Sequence, residues 1–344
     1  MVSEISLTQL EGAQTVVLRE PTTGSEAQVV TEVGANVARF RTRVGDRTVE
    51  VLSAPPDMAT LRERPTRWGS ACLFPYPGRI KEGKFRFRGR EIQLPVDPRD
   101  GNAIHGVVRT RPWRVATTAA GDDGASVTAR FSTAEARVPT AEWPWPFALA
   151  LTVSLRGGVL RVAAEAENVG AEPMPFGLGF HPYFPTPFGP GDAGRCEVWI
   201  EANERWGQEG GLPTGDVTPI GSDEWPRRPA PLSEIAPDSQ MPEGPVRNVL
   251  LRREVSGPSD APGGVRAGVR DPQNGVALTL TASAGFGRMV MFTPARPPVI
   301  SLEPQTCVPN AHRLAGETDR PTGLVVLEPG GRWRGWWDVR AEPL

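Results

Sequence analysis

Residues Phe176–Phe184 read Phe-Gly-Leu-Gly-Phe-His-Pro-Tyr-Phe, and this stretch decides how the fold is interpreted. Its apolar residues alternate with small ones, which is typical of a strand with one buried face. The pattern predicts that the strand ends at His181, because Pro182 has no N–H to donate to a sheet ladder. His181 is then an imidazole beside aromatic residues, with an ordinary pKa of about 6.5 that suits proton transfer near neutral pH. A core histidine bonded to the backbone is the alternative.

The rest of the chain repeats this pattern of short alternating strands separated by turns. Gly and Pro together make up about a fifth of the 344 residues, which favours many turns over long helices. No repeat of 20–50 residues stands out. The sequence therefore predicts an all-β protein, a large antiparallel β-sandwich. We expect a single domain over residues 1–344, with a surface excursion at 216–246, where Pro, Asp, Glu and Ser are frequent.

Composition argues against several classes of partner and site. The net charge of −2, with both signs interspersed, does not indicate nucleic-acid binding. The three cysteines are widely spaced and form no C-x-x-C pair, so neither a disulfide framework nor a structural zinc site is expected. The first residues lack the pattern of a signal peptide, and no apolar run approaches the ~18–20 residues that span a bilayer. We expect a cytoplasmic protein without membrane or nucleic-acid partners.

Two more polar residues follow the design seen at His181, and a third lies in a loop. Arg79 comes after the apolar run Ala71–Phe74 and two prolines. Glu303 stands between an apolar run and a proline, so a strand end is predicted there too, and His105 lies in a Gly-containing loop. A carboxylate facing an imidazole forms an acid/base pair, and an arginine offers donors for polar oxygens. Each residue also has a purely structural interpretation, such as an exposed carboxylate at Glu303.

Four motifs in one order carry a family resemblance. They are N-A-I-H-G, G-L-G-F-H-P-Y-F, L-P-T-G and S-L-E-P-Q-T, at residues 102–106, 177–184, 212–215 and 301–306. The chain resembles the aldose 1-epimerase (mutarotase) family from about Gly34 to Trp337. The resemblance implies a galactose mutarotase-like supersandwich that uses no metal and no nucleotide cofactor. It also implies an isomerase that interconverts the α and β anomers of a small sugar, as a monomer or homodimer.

The resemblance assigns roles to four residues of this chain. Glu303 matches the carboxylate that removes the proton from the C1 hydroxyl of the sugar, and His181 matches the acid that protonates the ring oxygen. Arg79 and His105 match residues that hydrogen-bond the sugar. The catalytic residues are therefore expected to be Glu303 and His181, and the substrate-binding residues Arg79 and His105.

The chain departs from the family pattern in two places. Gly78 stands where an Asn is common, which removes one amide donor. Arg247 and Asn248 stand where galactose-acting members carry an Asp that binds sugar hydroxyls, and Asp238 is nearby but outside any clear match. The acid/base pair is retained, whereas the identity of the sugar is left open. A modified or phosphorylated sugar is one alternative to glucose or galactose.

Three competing functions are compatible with parts of the sequence. Two histidines and a glutamate occur in zinc hydrolases, although no H-E-x-x-H motif is present. A non-catalytic sugar-binding module is the second competitor, since ten Trp and twelve Phe offer stacking surfaces. A cysteine nucleophile, Cys307 near His312, is the third. For that pair we expect an apolar filler and a surface histidine.

Overall fold

Strands dominate the computed structural model, which describes residues 2–235, 247–294 and 298–344. The strands, in chain order, are β1 (Glu4–Leu10), β2 (Ala13–Glu20), β3 (Ser25–Val30), β4 (Asn36–Val44), β5 (Arg47–Leu52), β6 (Ser70–Leu73), β7 (Arg79–Ile80), β8 (Lys84–Phe87), β9 (Arg90–Gln93), β10 (Ala103–Ile104), β11 (Arg114–Gly121), β12 (Gly124–Ser132), β13 (Phe147–Arg156), β14 (Val159–Asn168), β15 (Met174–Phe176), β16 (Gly179–Pro185), β17 (Glu197–Ile200), β18 (Glu204–Glu209), β19 (Leu212–Pro219), β20 (Ala230–Pro231), β21 (Arg247–Arg252), β22 (Pro262–Asp271), β23 (Val276–Ser283), β24 (Arg288–Thr293), β25 (Val299–Gln305), β26 (Val325–Leu327) and β27 (Arg332–Pro343). The helices are short: α1 (Met58–Glu63), α2 (Leu232–Ile235) and α3 (Ala311–Leu314).

Two large sheets face each other and form the sandwich. The first has the strand order β1-β2-β3-β4-β6-β16-β25-β24-β21-β18-β19, with β5 paired to β4. The second has the order β11-β12-β13-β14-β27-β23-β22-β17-β20. Neighbouring strands run antiparallel, as in the central pairs β16–β25 and β14–β27. The predicted all-β, large antiparallel β-sandwich is confirmed.

One apolar core joins the inner faces of the two sheets. Phe180 of β16, in the first sheet, is buried with its ring centroid 5.7 Å from that of Trp337 of β27, in the second sheet. Phe286, in the turn before β24, packs 6.0 Å from Phe180. Because side chains alternate between the faces of a strand, burying Phe180 directs its neighbours toward the other face of the sheet. His181 is one of those neighbours.

Two predicted strand ends are wrong. His181 lies inside β16 and Glu303 inside β25, although prolines follow both. A proline in a central strand removes one N–H from the ladder, so the sequence favoured an end at each position. At Pro182 the carbonyl accepts a hydrogen bond of 2.8 Å from the Ser301 hydroxyl. This contact joins the two strands where the regular ladder is interrupted.

The predicted surface excursion at 216–246 is only partly described. Its first residues complete β19, and its later part contributes β20 and α2 at the edge of the second sheet. Residues 236–246, which include Asp238, lie outside the described residues. The single-domain organisation stays a prediction. Among the described residues, no helix has the length and apolar character needed to cross a membrane.

Candidate active site

Glu303 and His181 face each other across the two central strands of the first sheet. The flanking pairs, Gly179 with Gln305 and Tyr183 with Ser301, set a register that puts His181 directly opposite Glu303. Oε1 of Glu303 lies 3.3 Å from Nε2 of His181. Both side chains are buried on the face of the sheet that points away from the core. The tertiary fold therefore turns two distant residues into one acid/base pair.

Ser301 fixes the orientation of the His181 ring. Its hydroxyl lies 2.9 Å from Nδ1 of His181 and donates its hydrogen to the carbonyl of Pro182. Because a hydroxyl has one hydrogen to give, it acts as the acceptor toward His181, and Nδ1 carries the proton. The lone pair on Nε2 then points at Glu303. The ring of Tyr183 stacks on one face of the imidazole, with ring centroids 4.7 Å apart.

Burial sets the protonation of this pair. It raises the pKa of Glu303 to about 8, while the hydrogen bond from Gln305, the nearby Ser301 side chain and the charge of Arg79 oppose the rise. Burial lowers the pKa of His181 to about 3. Desolvation disfavours the charged form of each group, which is the physical reason that the shifts have opposite signs. Near neutral pH the pair holds one proton, which the pKa shifts place on Glu303.

Gln305 is the closest support of the carboxyl group. Its Nε2 donates a hydrogen bond of 3.0 Å to Oε2 of Glu303, so the two carboxyl oxygens have different partners. Gln305 is fully buried. Two residues separate it from Glu303 along β25, which places both side chains on the same face. The sequence analysis missed this residue, although the spacing of the E-P-Q motif carries the signal.

Arg79 and His105 enter the site from a small two-stranded ladder. β7 and β10 pair Arg79 with Ile104, and the N–H of His105 donates to the carbonyl of Gly78 at 2.9 Å. Gly78 has a φ of +64°, and a Cβ there would lie 2.7 Å from the ring of Pro309. The local backbone thus requires glycine where the family often has Asn. Nε of Arg79 donates to Asp100 at 2.8 Å.

His105 is held in a left-handed backbone conformation next to the acid/base pair. Its φ is +59°, which is uncommon for a residue with a side chain. Its ring centroid lies 5.6 Å from that of His181. Burial holds its pKa well below the usual value, and His181, Arg109 and Arg79 lower it further. A neutral His105 is able both to donate and to accept a hydrogen bond from a sugar hydroxyl.

All four residues singled out in the sequence line one cavity of about 180 Å³. Polar, aromatic and aliphatic residues complete its wall, together with a second arginine, Arg67. The cavity is lined by Thr66, Arg67, Gly78, Arg79, His105, His181, Tyr183, Gly211, Val290, Phe292, Glu303, Gln305 and Pro309. A small cleft in which several polar side chains converge suits a single small polar ligand. Sequence reasoning did not single out Phe292 or Arg67 as parts of a site wall.

His312 and Cys307 do not belong to this cavity, and the prediction of a surface histidine is wrong. His312 is 3% exposed, and its ring lies among the rings of Tyr76, Phe85 and Trp143. Cys307 is buried as the expected apolar filler, and burial raises its pKa to about 12. A thiol with a raised pKa is a poor nucleophile. The cysteine nucleophile hypothesis therefore lacks structural support.

Two further sequence predictions concern a metal site and the positions of Arg247 and Asn248. Within the described residues, no three His, Cys, Asp or Glu side chains come together as a group that could hold a metal ion. Arg247 and Asn248 begin β21, where Asn248 pairs with Phe292 of the cavity wall. The start of β21, which the family resemblance matched to a sugar-binding Asp, thus lies next to the cavity.

The sequence profile described as aldose 1-epimerase matches residues 14–340. The chain belongs to the aldose 1-epimerase family. This match covers nearly the whole sandwich, including both strands that carry the acid/base pair. The family resemblance inferred from the four motifs is confirmed.

Known proteins agree with this family at the level of fold. A galactose mutarotase-like protein from Clostridium acetobutylicum superposes with a TM-score of 0.82 at 21% identity, over 99% of this chain and 98% of that one. Galactose 1-epimerase from Lactobacillus acidophilus gives a TM-score of 0.74 at 15% identity, over 99% and 98%. The Escherichia coli (strain K12) protein YihR, described as uncharacterized, is 34% identical over 125 residues, which are 35% of this chain and 37% of YihR. These similarities establish a galactose mutarotase-like fold.

Proposed function

We propose that this protein is an aldose 1-epimerase, an isomerase that exchanges the α and β anomers of a sugar. The observation that carries the proposal is the contact of Glu303 with His181 inside a cavity lined by Arg79 and His105. The two oxygens of a hemiacetal are bonded to the same carbon. A base and an acid that act on them must therefore be close neighbours, as these two groups are.

In the proposed reaction, Glu303 accepts the proton of the C1 hydroxyl while His181 gives a proton to the ring oxygen. The bond between C1 and the ring oxygen breaks, and C1 becomes a carbonyl carbon. Rotation about the C1–C2 bond presents the other face of the carbonyl. The reverse proton transfers then close the ring as the other anomer. Atoms and charges balance without an outside reagent.

The protonation of the pair fits this cycle. The reactive form, with Glu303 ionised and His181 protonated, holds one proton, as does the resting form. Moving that proton across the 3.3 Å contact converts one into the other without exchange with solvent. Ring opening returns the pair to the form that burial favours. The free energy needed to charge the buried pair is therefore released when the ring opens.

Anomer exchange tests the proposal directly. We expect the protein to accelerate the optical change of freshly dissolved α-glucose, α-galactose or their 6-phosphates in polarimetry. Glu303→Gln and His181→Asn should each lower the rate by roughly 10²–10⁴-fold, because each removes one partner in proton transfer. Glu317→Gln is the matched control, since this carboxylate pairs with Arg313 on the surface.

A non-catalytic sugar-binding module predicts a different outcome. It would bind a sugar without changing the rate of anomer exchange, and no acceleration with any of these sugars would refute the epimerase. Action in the cytoplasm on a small sugar, without cofactor, nucleic-acid or membrane partner and as a monomer or homodimer, stays a prediction.

A further inference from the structure

The cavity contains a cation that the proposed reaction does not use. Arg67 lines the wall near Tyr183, and its exposed side chain makes no hydrogen bond or ion pair with any residue that the structure describes. By contrast, Arg79 is anchored through Nε to Asp100. An arginine that borders a ligand cavity with its guanidinium free has five N–H donors available to a ligand.

The charge of the lining residues favours an anion. Arg67 and Arg79 are both positive, and among the described lining residues Glu303 is the single carboxylate. The raised pKa of Glu303 leaves that carboxyl protonated near neutral pH in the empty site. Because Asp100 balances the charge of Arg79, Arg67 is the cation of the wall that a neutral sugar would leave without an ion-pair partner among the described residues.

The position of Arg67 along the cavity follows from the strand that carries His181. Along the wall, Glu303 contacts His181, and His181 stacks on Tyr183. The N–H of Tyr183 donates to the carbonyl of Gly69 at 2.9 Å, which brings the segment containing Arg67 alongside Tyr183. Arg67 is also close enough to Tyr183 to lower the pKa of its hydroxyl against the rise caused by burial. The row therefore runs from Glu303 through His181 and Tyr183 to Arg67.

This row matches the order of groups in a pyranose. In the proposed reaction Glu303 faces O1 and His181 faces the ring oxygen, and the next atom around the ring is C5, which carries C6. On the protein, the path crosses from β25 to β16 at His181, follows β16 to Tyr183 and then reaches Arg67. A group attached at C6 would thus point toward Arg67.

We propose that the substrate is an aldose with an anionic group at C6, and that Arg67 binds this group. The inference rests on the proposed function, because that function sets which end of the sugar lies at Glu303. A 6-phosphate and a 6-carboxylate share the required charge and oxygen geometry for an arginine fork. The structure points to an anionic group at C6, and the experiment distinguishes a phosphate from a carboxylate.

The test compares three sugars in anomer-exchange NMR: glucose, glucose 6-phosphate and glucuronate. We expect kcat/KM for one or both anionic sugars to exceed that for glucose by roughly tenfold or more, the size of a charge-assisted hydrogen bond. Arg67→Gln should collapse this ratio. Raising the ionic strength should lower it in the wild-type protein, because Arg67 is exposed to solvent.

Arg270→Gln is the matched control for loss of one positive charge. Arg270 is exposed on β22, in the opposite sheet, and the ratio should not change in this variant. Equal kcat/KM values for glucose and both anionic sugars in the wild-type protein would overturn the inference. So would a ratio that survives Arg67→Gln.

Calorimetric titration with glucose 6-phosphate and glucuronate separates this inference from the proposed function. Arg67-dependent binding of either sugar without anomer exchange would refute the epimerase and retain an anion site. Anomer exchange with no preference for charge would retain the epimerase and refute the anion site. No binding of either anionic sugar, together with no exchange of any of the three sugars, would refute both.

Discussion

Oε1 of Glu303 lies 3.3 Å from Nε2 of His181, and the strand register of the first sheet enforces this contact. The two residues belong to β16 and β25, which are neighbours at the centre of that sheet. Both strands are paired on each side, so neither side chain depends on a mobile loop for its position. Catalytic groups placed on rigid elements are held more closely to a productive geometry than groups on loops.

The first prediction concerns the pH dependence of activity. The reactive pair holds one proton, and this form exists between the lowered pKa of His181, about 3, and the raised pKa of Glu303, about 8. We expect kcat/KM to be level around pH 6.5 and to fall as the pair loses its proton above about pH 8. The measurement is anomer exchange by NMR with the hydroxide-catalysed rate subtracted. A transition near pH 6.5 would contradict the single shared proton.

The second prediction concerns Gln305→Met. The amide of Gln305 donates to Glu303 and lowers the pKa of its carboxyl, since the bond favours the charged form. Its removal should raise that pKa, move the alkaline transition of kcat/KM to higher pH and lower the plateau by roughly tenfold. In a Glu303→Gln background the same change should have little further effect. Equal losses in both backgrounds would show that Gln305 acts independently of Glu303.

The third prediction concerns Ser301→Ala. Loss of the hydroxyl removes the acceptor that holds the proton on Nδ1 of His181. We expect kcat to fall by roughly tenfold with little change in KM, because sugar contacts remain while the acid is no longer oriented. Steady-state kinetics on an accepted sugar measures both constants.

Ser70→Ala is the control for Ser301→Ala. Ser70 pairs with Pro182 from β6, and its buried hydroxyl has no hydrogen-bond partner among the described residues. Removing it should leave kcat unchanged. A matching loss of kcat in both serine variants would point to general disturbance of β16 rather than control of the imidazole.

The fourth prediction concerns His312→Ala. The ring of His312 is buried among three aromatic side chains, so its removal leaves a cavity. The free energy of unfolding should fall by about 2–4 kcal/mol, whereas a surface histidine would change it by less than about 0.5 kcal/mol. Urea denaturation measures this loss, and kcat of the folded variant should be unaffected. Arg313→Ala, at a half-exposed neighbour, is the control and should change stability far less.

The sequence located four residues that share the cavity but misjudged how two of them are held. Alternating apolar residues before His181 and Glu303 identified their strands, since period-two burial is a local property. The prolines after them indicated strand ends, and the structure continues both strands because neighbouring strands supply other contacts, such as Ser301 to Pro182. The effect of a proline on a sheet depends on the contacts that the neighbouring strand supplies. The local sequence does not show which strand that is.

Sequence by itself determined the sandwich class and the family, because these follow from local alternation and from motifs in fixed order, and it predicted which residues exchange protons. Tertiary structure alone decided that Glu303 meets His181, that Ser301 and Gln305 orient them, that Arg67 borders the same cavity and that His312 is buried. Each of these depends on the register between strands far apart in the chain. Register is set by packing of the whole sheet, and the pKa shifts follow from the burial that this packing creates.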